Sequence, residues 1–232
     1  MIDIRPFNSL GHADHGWLNA RHHFSFANYY EPARMGWGAI RVWNDDEIAA
    51  RSGFPPHPHA DMEIITYVRR GAITHQDSLG NQGRTEAGDV QVMSAGTGVR
   101  HAEYNQEDQA TTLFQIWVQT DKPGAKPSWG AKQFPKHVRE GTFVTLASGF
   151  AEDADALRIN AAARVMGATL KAGETAELSL DPARHTYLVP VNGAAEVNGV
   201  RAEARDGVAV TGEERILIRA VEDTEVVLVD AR

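Results

Sequence analysis

Residues 62–76 decide the fold class: they read Met-Glu-Ile-Ile-Thr-Tyr-Val-Arg-Arg-Gly-Ala-Ile-Thr-His-Gln. Residues 62–68 are rich in β-branched and aromatic side chains, which favour strands. Gly71 interrupts the run, and residues 72–76 form a second one that ends at the turn-forming sequence Asp-Ser-Leu-Gly-Asn of residues 77–81. The stretch therefore predicts two consecutive strands joined at Gly71.

Short runs of the same kind continue in both directions along the chain. Residues 38–42 lead into Trp-Asn-Asp-Asp-Glu at 43–47, which predicts a strand closed by a turn, and residues 89–93 and 113–119 alternate as strands do. Strand candidates in the second half are residues 163–170, 186–191, 195–198, 207–210, 216–219 and 225–229. Short strands separated by turns predict an all-β protein made of barrels or sandwiches.

The chain is predicted to contain two copies of one β unit. Residues 121–135 hold three Pro and two Gly, which is typical of a connection, so we divide the chain into residues 1–125 and 126–232. Tyr67-Val68 leading to Gly71 resembles Tyr187-Leu188 leading to Gly193, at an offset of about 120 residues. This faint repeat indicates a duplicated unit.

Composition excludes several classes of function. With 23 Lys plus Arg against 31 Asp plus Glu, the net charge of −8 disfavours direct nucleic-acid binding. The absence of cysteine excludes disulfides and thiolate metal sites, so His and carboxylate groups are the strong metal ligands that remain. The sequence has neither an apolar signal core nor a run of about 18 apolar residues, so we expect a cytoplasmic protein without membrane contact.

Two short motifs predict a metal site. Residues two apart on a strand share a face, so His57-Pro-His59 can aim two imidazoles at one point, and His101-Ala-Glu103 can add an imidazole and a carboxylate. Such donors suit Fe(II), Mn, Ni, Cu or Zn, and an octahedral ion would keep two positions open for a substrate oxygen and for water or dioxygen. Physics alone also permits Glu63 inside, because it shares strand parity with the two His residues.

The same residues carry a resemblance to the cupin superfamily. His57-x-His59, Glu63 and Gly71 match the first part of the superfamily pattern. Gly88, Ser94-x-Gly96, His101 and Asn105 match its second part. Ser94 replaces a Pro of that pattern, and the gap before His101 is longer, and both departures match the pirin family. The chain resembles pirins at His57-Pro-His59, Glu63, Thr66-Tyr67, Gly71, His75-x-Asp77, Gly80, residues 88–91, Met93, Ala95-Gly96 and His101-x-Glu103. Residues 15–18 and 23–30 resemble the bacterial quercetinase-like branch.

The resemblance implies a bicupin, two jelly-roll β-barrels, with a metal in the N-terminal barrel only. It implies His57, His59, His101 and Glu103 as ligands of one divalent ion, for which we expect Fe(II), with Mn, Ni, Cu and Zn as alternatives. Cupins at large use the carboxylate at the Glu63 position, so Glu63 stays a competitor, with a role of orienting a ligand imidazole. Residues 126–232 contain no His-x-His and no His-x-Glu, which predicts a degenerate C-terminal barrel without metal ligands.

The implied activity is that of a quercetinase, a metal-dependent dioxygenase acting on a flavonol such as quercetin. Glu103 would accept the proton of the substrate 3-hydroxyl as general base, a role in tension with tight metal ligation, and carbon monoxide would be the by-product. The ligands would thus be a small aromatic substrate and dioxygen. Two alternatives stay open: an iron-binding, redox-sensing regulator that acts through a protein partner, and a non-oxidative metalloenzyme.

Other histidines receive weaker predictions. His75 and Asp77 are two apart and either support the site or solvate a hairpin end. His22, His23, Phe24 and Phe26 either line the entrance or pack in the core, and packing is the more common role of such alternation. Surface roles are expected for His12, His15, His137 and His185.

Overall fold

The computed structural model describes residues 1–232, apart from the side chain of Val138, and is built almost entirely of strands. The strands of the first half are β1 (Ile2–Arg5), β2 (Gly11–Asp14), β3 (Leu18–His22), β4 (Ile40–Ile48), β5 (Ser52–His59), β6 (Met62–Arg70), β7 (Ala72–Asp77), β8 (Gln82–Glu86), β9 (Val90–Ser94), β10 (Val99–Asn105) and β11 (Thr111–Gln119). Those of the second half are β12 (Ser128–Lys132), β13 (Val144–Ser148), β14 (Leu157–Arg158), β15 (Ala163–Leu170), β16 (Thr175–Ser179), β17 (His185–Asn192), β18 (Ala195–Val197), β19 (Val200–Ala202), β20 (Gly207–Thr211), β21 (Arg215–Ala220) and β22 (Thr224–Ala231). Short 3-10 helices lie at Phe7–Ser9, Pro32–Arg34 and Lys136–Arg139.

The strands form two units, each made of a seven-stranded and a four-stranded sheet. The N-terminal sheets have the orders β12-β9-β6-β11-β4-β3-β2 and β5-β10-β7-β8. The C-terminal sheets have the orders β1-β20-β17-β22-β15-β13-β14 and β16-β21-β18-β19. The all-β, two-cupin prediction is therefore confirmed, although each unit is a pair of facing sheets rather than a closed barrel.

The internal repeat is visible in the strand orders. The run β9-β6-β11-β4 matches β20-β17-β22-β15, and β5-β10-β7-β8 matches β16-β21-β18-β19. The glycines that suggested the repeat end corresponding strands, and both adopt a positive φ, 77° at Gly71 and 63° at Gly193. A side chain would be strained at such an angle, so each glycine permits the chain to turn out of its sheet.

The largest hydrophobic core lies between the two units. Trp43, Tyr67 and Phe114 from the N-terminal seven-stranded sheet pack with Tyr187 and Val229 from its C-terminal counterpart. A second core fills the interior of the C-terminal unit. The N-terminal unit has two smaller apolar clusters among the described residues, and this leaves space there for a cavity.

Two strands cross the sequence midpoint to join the other unit's sheet. β1 pairs with β20, and β12 pairs with β9. The predicted connection over residues 121–135 contains a strand that the sequence did not indicate, because Trp129 and its neighbours add an edge strand to the N-terminal sheet. The division into residues 1–125 and 126–232 stays a prediction, with backbone hydrogen bonds crossing it at both ends of the chain.

β4 also differs from the sequence prediction, which closed this strand with a turn at Asn44-Asp45-Asp46. The strand continues to Ile48, because each polar side chain is accommodated. Asp45 faces the other unit and accepts hydrogen bonds from Arg69 and Arg205, while Asn44 and Asp46 face the interior cavity. Among the residues described, no helix has the length and hydropathy needed to span a membrane.

Candidate metal centre

Strands β5 and β10 bring the predicted ligands together. They pair antiparallel with His101 opposite His57, and the register shifts so that Glu103 lies opposite Phe54. The shift is a β-bulge in β5 at Pro55-Pro56, which an edge strand tolerates because proline has no N–H to donate to a neighbouring strand. Local sequence thus fixes both the edge position of β5 and the inward aim of its two His residues.

The three imidazoles converge on one point. The Nε2 atoms of His57 and His101 are 3.1 Å apart. The ring centroids lie 4.8 Å apart for His57 and His59, 4.5 Å for His57 and His101, and 4.9 Å for His59 and His101. Two nitrogen ligands at right angles around a metal at about 2.1 Å would be about 3.0 Å apart, so this donor set fits a first-row divalent ion.

In His57 and His101, the imidazole nitrogen that faces away from the convergence point forms a hydrogen bond, and this bond indicates which ring nitrogen carries the proton. Nδ1 of His57 lies 2.8 Å from the carbonyl oxygen of Pro55, which can only accept, so Nδ1 donates and Nε2 keeps a lone pair. A second chain runs from the Asp77 carboxylate, 3.1 Å from Nε2 of His75, to Nδ1 of His75, which lies 3.5 Å from Nδ1 of His101. If His75 donates to Asp77, then His101 donates to His75, and the Nε2 lone pair of His101 also points at the site.

Burial keeps the imidazoles of His59 and His101 neutral. It lowers the pKa of His59 to about 4 and that of His101 to about 3, and the neighbouring imidazoles lower both further. Neutral imidazole is the form that binds a metal. With the tautomers given above, the Nε2 lone pairs of His57 and His101 would face each other across 3.1 Å and repel, and a cation between them would remove the repulsion.

Glu103 is deeply buried and lies on the far side of His101. It forms a group with His75 and His101, while His57, His59 and His101 form the other group of candidate ligands. Oε1 of Glu103 accepts from Gln91 Nε2 at 2.7 Å and Thr66 Oγ1 at 3.1 Å, and Oε2 accepts from Gln115 Nε2 at 2.6 Å. A carboxylate offers about four lone-pair directions, so Oε2 retains one for a metal or a proton.

Glu63 does not fill the role of orienting an imidazole. It shares the face of β6 that packs between the two units, as Ile65 does, whereas Ile64 lines the cavity. In the described part of the chain its carboxylate accepts a hydrogen bond from Ser94, 2.5 Å away. Glu63 does not share the face of His57 and His59, because the chain turns at Asp61, where φ is 48°. The alternation of faces therefore does not continue from β5 into β6.

The candidate ligands open into a cavity of about 440 Å³, within the usual range for small-molecule sites. Its wall also includes side chains from the segment before β4, namely His12, His15, His22, Phe26 and Tyr29. His22 and Phe26 therefore line the site, whereas His23 and Phe24 pack in the core against Tyr187. His12 and His15 are exposed, as expected, and folding of β2 and β3 along the N-terminal sheet also brings them to the mouth of the cavity.

Sequence reasoning missed four polar side chains of the site. Gln91 and Gln115 hold Glu103, and Asn44 and Asp46 line the cavity wall. Alternation was the available signal, since Gln91 and Gln115 lie on strands that the sequence predicts and at positions flanked by apolar residues.

The C-terminal unit carries apolar side chains where the N-terminal unit carries its candidate ligands. β16 and β21 correspond to β5 and β10, and their buried residues Ala176, Ile216 and Ile218 belong to the core of that unit. Residues 126–232 have no His pair, and the space that corresponds to the candidate metal centre is filled there by apolar side chains.

Comparison with known proteins agrees with the geometry. Residues 3–118 match the Pirin family model, and residues 145–231 match the model of the quercetinase C-terminal cupin domain. A pirin-like protein of Caulobacter vibrioides is 67% identical, with 100% of each chain covered. A quercetin 2,3-dioxygenase of Escherichia coli is 42% identical over 99% of this chain and 98% of its own.

A solved structure shows the same fold over the whole chain. A bacterial pirin from Escherichia coli in complex with nickel(II) superimposes with a TM-score of 0.93 at 41% identity, covering 100% of this chain and 99% of its own. Family models and relatives together span both units, and the chain belongs to the pirin family.

Proposed function

We propose that this protein is a metal-dependent dioxygenase that acts on a flavonol such as quercetin. The observation that carries the proposal is the convergence of three imidazoles at the wall of a cavity of small-molecule size. The name of the Escherichia coli relative, quercetin 2,3-dioxygenase, supports the choice of substrate. The nickel(II) bound by the solved Escherichia coli pirin supports a metal-dependent reaction.

His57, His59 and His101 would hold the metal, and Glu103 would be the fourth ligand. A divalent iron in this site would supply the Lewis acidity and the redox capacity that the reaction of a flavonol with dioxygen needs. Nickel in the solved relative shows that a pirin binds another first-row ion, so we keep Mn, Ni, Cu and Zn as alternatives for this chain.

Glu103 has a second proposed task, as general base for the substrate hydroxyl. Oε2 has one free lone pair, so Glu103 would accept that proton only on leaving the metal, while Gln91, Gln115 and Thr66 keep the carboxylate in place. These amide and hydroxyl donors hold the group without a salt bridge among the described residues. Glu103→Gln should therefore lower turnover far more than it lowers substrate binding.

The cavity wall provides the binding surface for a flat aromatic ligand. Phe54, Phe26 and Trp117 line it, and Trp117 packs edge-on against His59 with ring centroids 5.0 Å apart. Aromatic walls of this kind bind planar rings and exclude water from the reacting atoms.

The test is reconstitution of metal-free protein with Fe(II) without oxygen, followed by quercetin and then oxygen. Many quercetin molecules consumed per iron, with release of carbon monoxide, are expected. Glu107→Gln is a matched control, because the Glu107 side chain is 32% exposed, pairs with Arg84 and is not part of the described cavity wall. Consumption of one equivalent or less would overturn the enzyme and favour the redox-sensing regulator, and zinc at full occupancy in protein purified without added metal would count against oxygen chemistry.

A further inference from the structure

Asp46 is a buried carboxyl group inside the cavity, and its surroundings are apolar. It is 2% exposed, and its cross-strand neighbours are Ala20 on β3 and Leu113 on β11, both buried. Its Oδ1 atom is buried and has no hydrogen-bond partner among the described residues. The side chain lines the same cavity as the three imidazoles and Glu103.

The adjacent residue shows how this protein treats a buried carboxylate that stays ionised. Asp45 points to the opposite face of β4, where it forms ion pairs with Arg69 and with Arg205 of the other unit. Asp46 has no such partner in the part of the chain that the structure describes. Removing a lone carboxylate from water is strongly unfavourable, and a group in that position normally takes up a proton instead.

The charges around Asp46 also favour its protonated form. Burial raises its pKa well above the usual range, the negative charges of Asp45 and Glu103 raise it further, and the positive charge of Arg69 opposes this more weakly. On the flanking strands, His22 of β3 lines the same cavity, and β11 contributes the uncharged Gln115. No cation on these two strands faces Asp46 in the described cavity wall.

We propose that Asp46 is a neutral carboxylic acid that recognises the ligand of this cavity by donating its O–H to a ligand oxygen. This inference rests on the proposed function, which supplies a ligand rich in carbonyl and hydroxyl oxygens. An empty cavity leaves the carboxyl group unsatisfied, and a ligand oxygen that accepts its proton removes that penalty. A site of this kind rejects ligands of similar shape that lack the oxygen.

Ligand binding tests the recognition step without turnover. Quercetin is titrated without oxygen into nickel-loaded protein, following quenching of tryptophan fluorescence, since Trp117 lines the cavity. Asp46→Leu should weaken binding about tenfold, because the donor is lost. Asp46→Asn should stay within about threefold, because its amide still donates. Unchanged quercetin binding by Asp46→Leu would overturn the recognition role.

Asp45→Asn is the matched control. It changes the adjacent carboxyl group on the other face of β4, so it should lower the denaturation midpoint through loss of its arginine pairs. Quercetin binding should stay unchanged, because burial, the largest cause of the raised pKa of Asp46, remains when the Asp45 charge is removed. Asp46→Leu should instead raise the midpoint, since an unsatisfied polar group is replaced by an apolar one among apolar neighbours.

The pH dependence of stability, measured without ligand, tests whether Asp46 is protonated. An unfolded Asp ionises near pH 3.9, so a carboxyl group that stays protonated when folded costs the wild type stability as the pH rises above that value. The denaturation midpoints of metal-free wild type and Asp46→Asn should therefore diverge from about pH 4 towards neutral pH, with the variant becoming the more stable. A constant difference would show that Asp46 is ionised and overturn the proposal. If the wild type does not bind quercetin but the midpoints diverge, the proposed function and the recognition step fail while the neutral carboxyl group stands.

Discussion

Asp77 should control metal affinity from two residues away, through His75 and His101. Its Oδ1 accepts the backbone N–H groups of Leu79 and Asn81 at 2.9 and 3.0 Å, and its Oδ2 accepts from Asn81 Nδ2 at 2.9 Å and faces His75 Nε2. In Asp77→Asn the side-chain oxygen keeps the two backbone donors, so the amide nitrogen takes the place of Oδ2 and the Asn81 amide turns its oxygen towards it. His75 then has to accept at Nε2 and donate at Nδ1, which makes His101 accept at Nδ1 and carry its proton at Nε2, on the metal side.

Asp77→Asn should lower metal affinity about ten- to a hundredfold, as is typical when a residue that orients a metal ligand is replaced. This corresponds to about 1.4–2.8 kcal/mol. The assay is competition for nickel(II) between metal-free protein and a chelator of known affinity. Asp108→Asn is the control, because Asp108 is 87% exposed and pairs only with Arg51 among the described residues. Thermal unfolding of the metal-free variant checks that the turn after β7 is intact, and nickel affinity equal to that of the wild type would refute the tautomer argument.

Three further predictions concern the ligands, the chain end and pH. His59→Ala should leave most of the protein without metal by elemental analysis, and near-full occupancy would remove His59 from the ligand set. Gly38→Ala should destabilise the fold by about 1–3 kcal/mol in urea denaturation, because φ is 54° there and a Cβ would lie 2.3 Å from the carbonyl oxygen of Arg232; an unchanged midpoint would contradict this. Metal-free protein should lose stability as the pH falls from about 6.5 towards 4, because the unfolded chain takes up protons that buried His59 and His101 refuse, and the loss should be smaller in His59→Ala.

Features encoded in local alternation could be predicted from the sequence. β6 and β15 were located within two residues of their ends, because runs of β-branched side chains between glycines or turns leave few alternatives. The convergence of His57, His59 and His101 was equally accessible, since residues two apart share a face and the two motifs needed only neighbouring strands.

Features that depend on distant partners could not be predicted. Asn44-Asp45-Asp46 is typical of a turn, and it becomes strand because Arg69 and Arg205, the latter from the other unit, neutralise Asp45. The face of Glu63 depends on one left-handed residue, Asp61. Neither a partner more than a hundred residues away nor a single reversal of parity leaves a periodic signal.

The two units divide stability and chemistry between them. In the N-terminal unit, neutral imidazoles, the Glu103 network and Asp46 occupy an interior that apolar side chains would stabilise better. In the C-terminal unit, the corresponding strands β16 and β21 contribute Ala176, Ile216 and Ile218 to a filled core. Both seven-stranded sheets share the large core between them, so the apolar unit stabilises the polar one through the Trp43, Tyr67 and Tyr187 contacts. The C-terminal unit, whose corresponding interior is filled by apolar side chains, can thus still be essential to the site, because it stabilises a neighbouring interior that is kept open for a metal and a ligand.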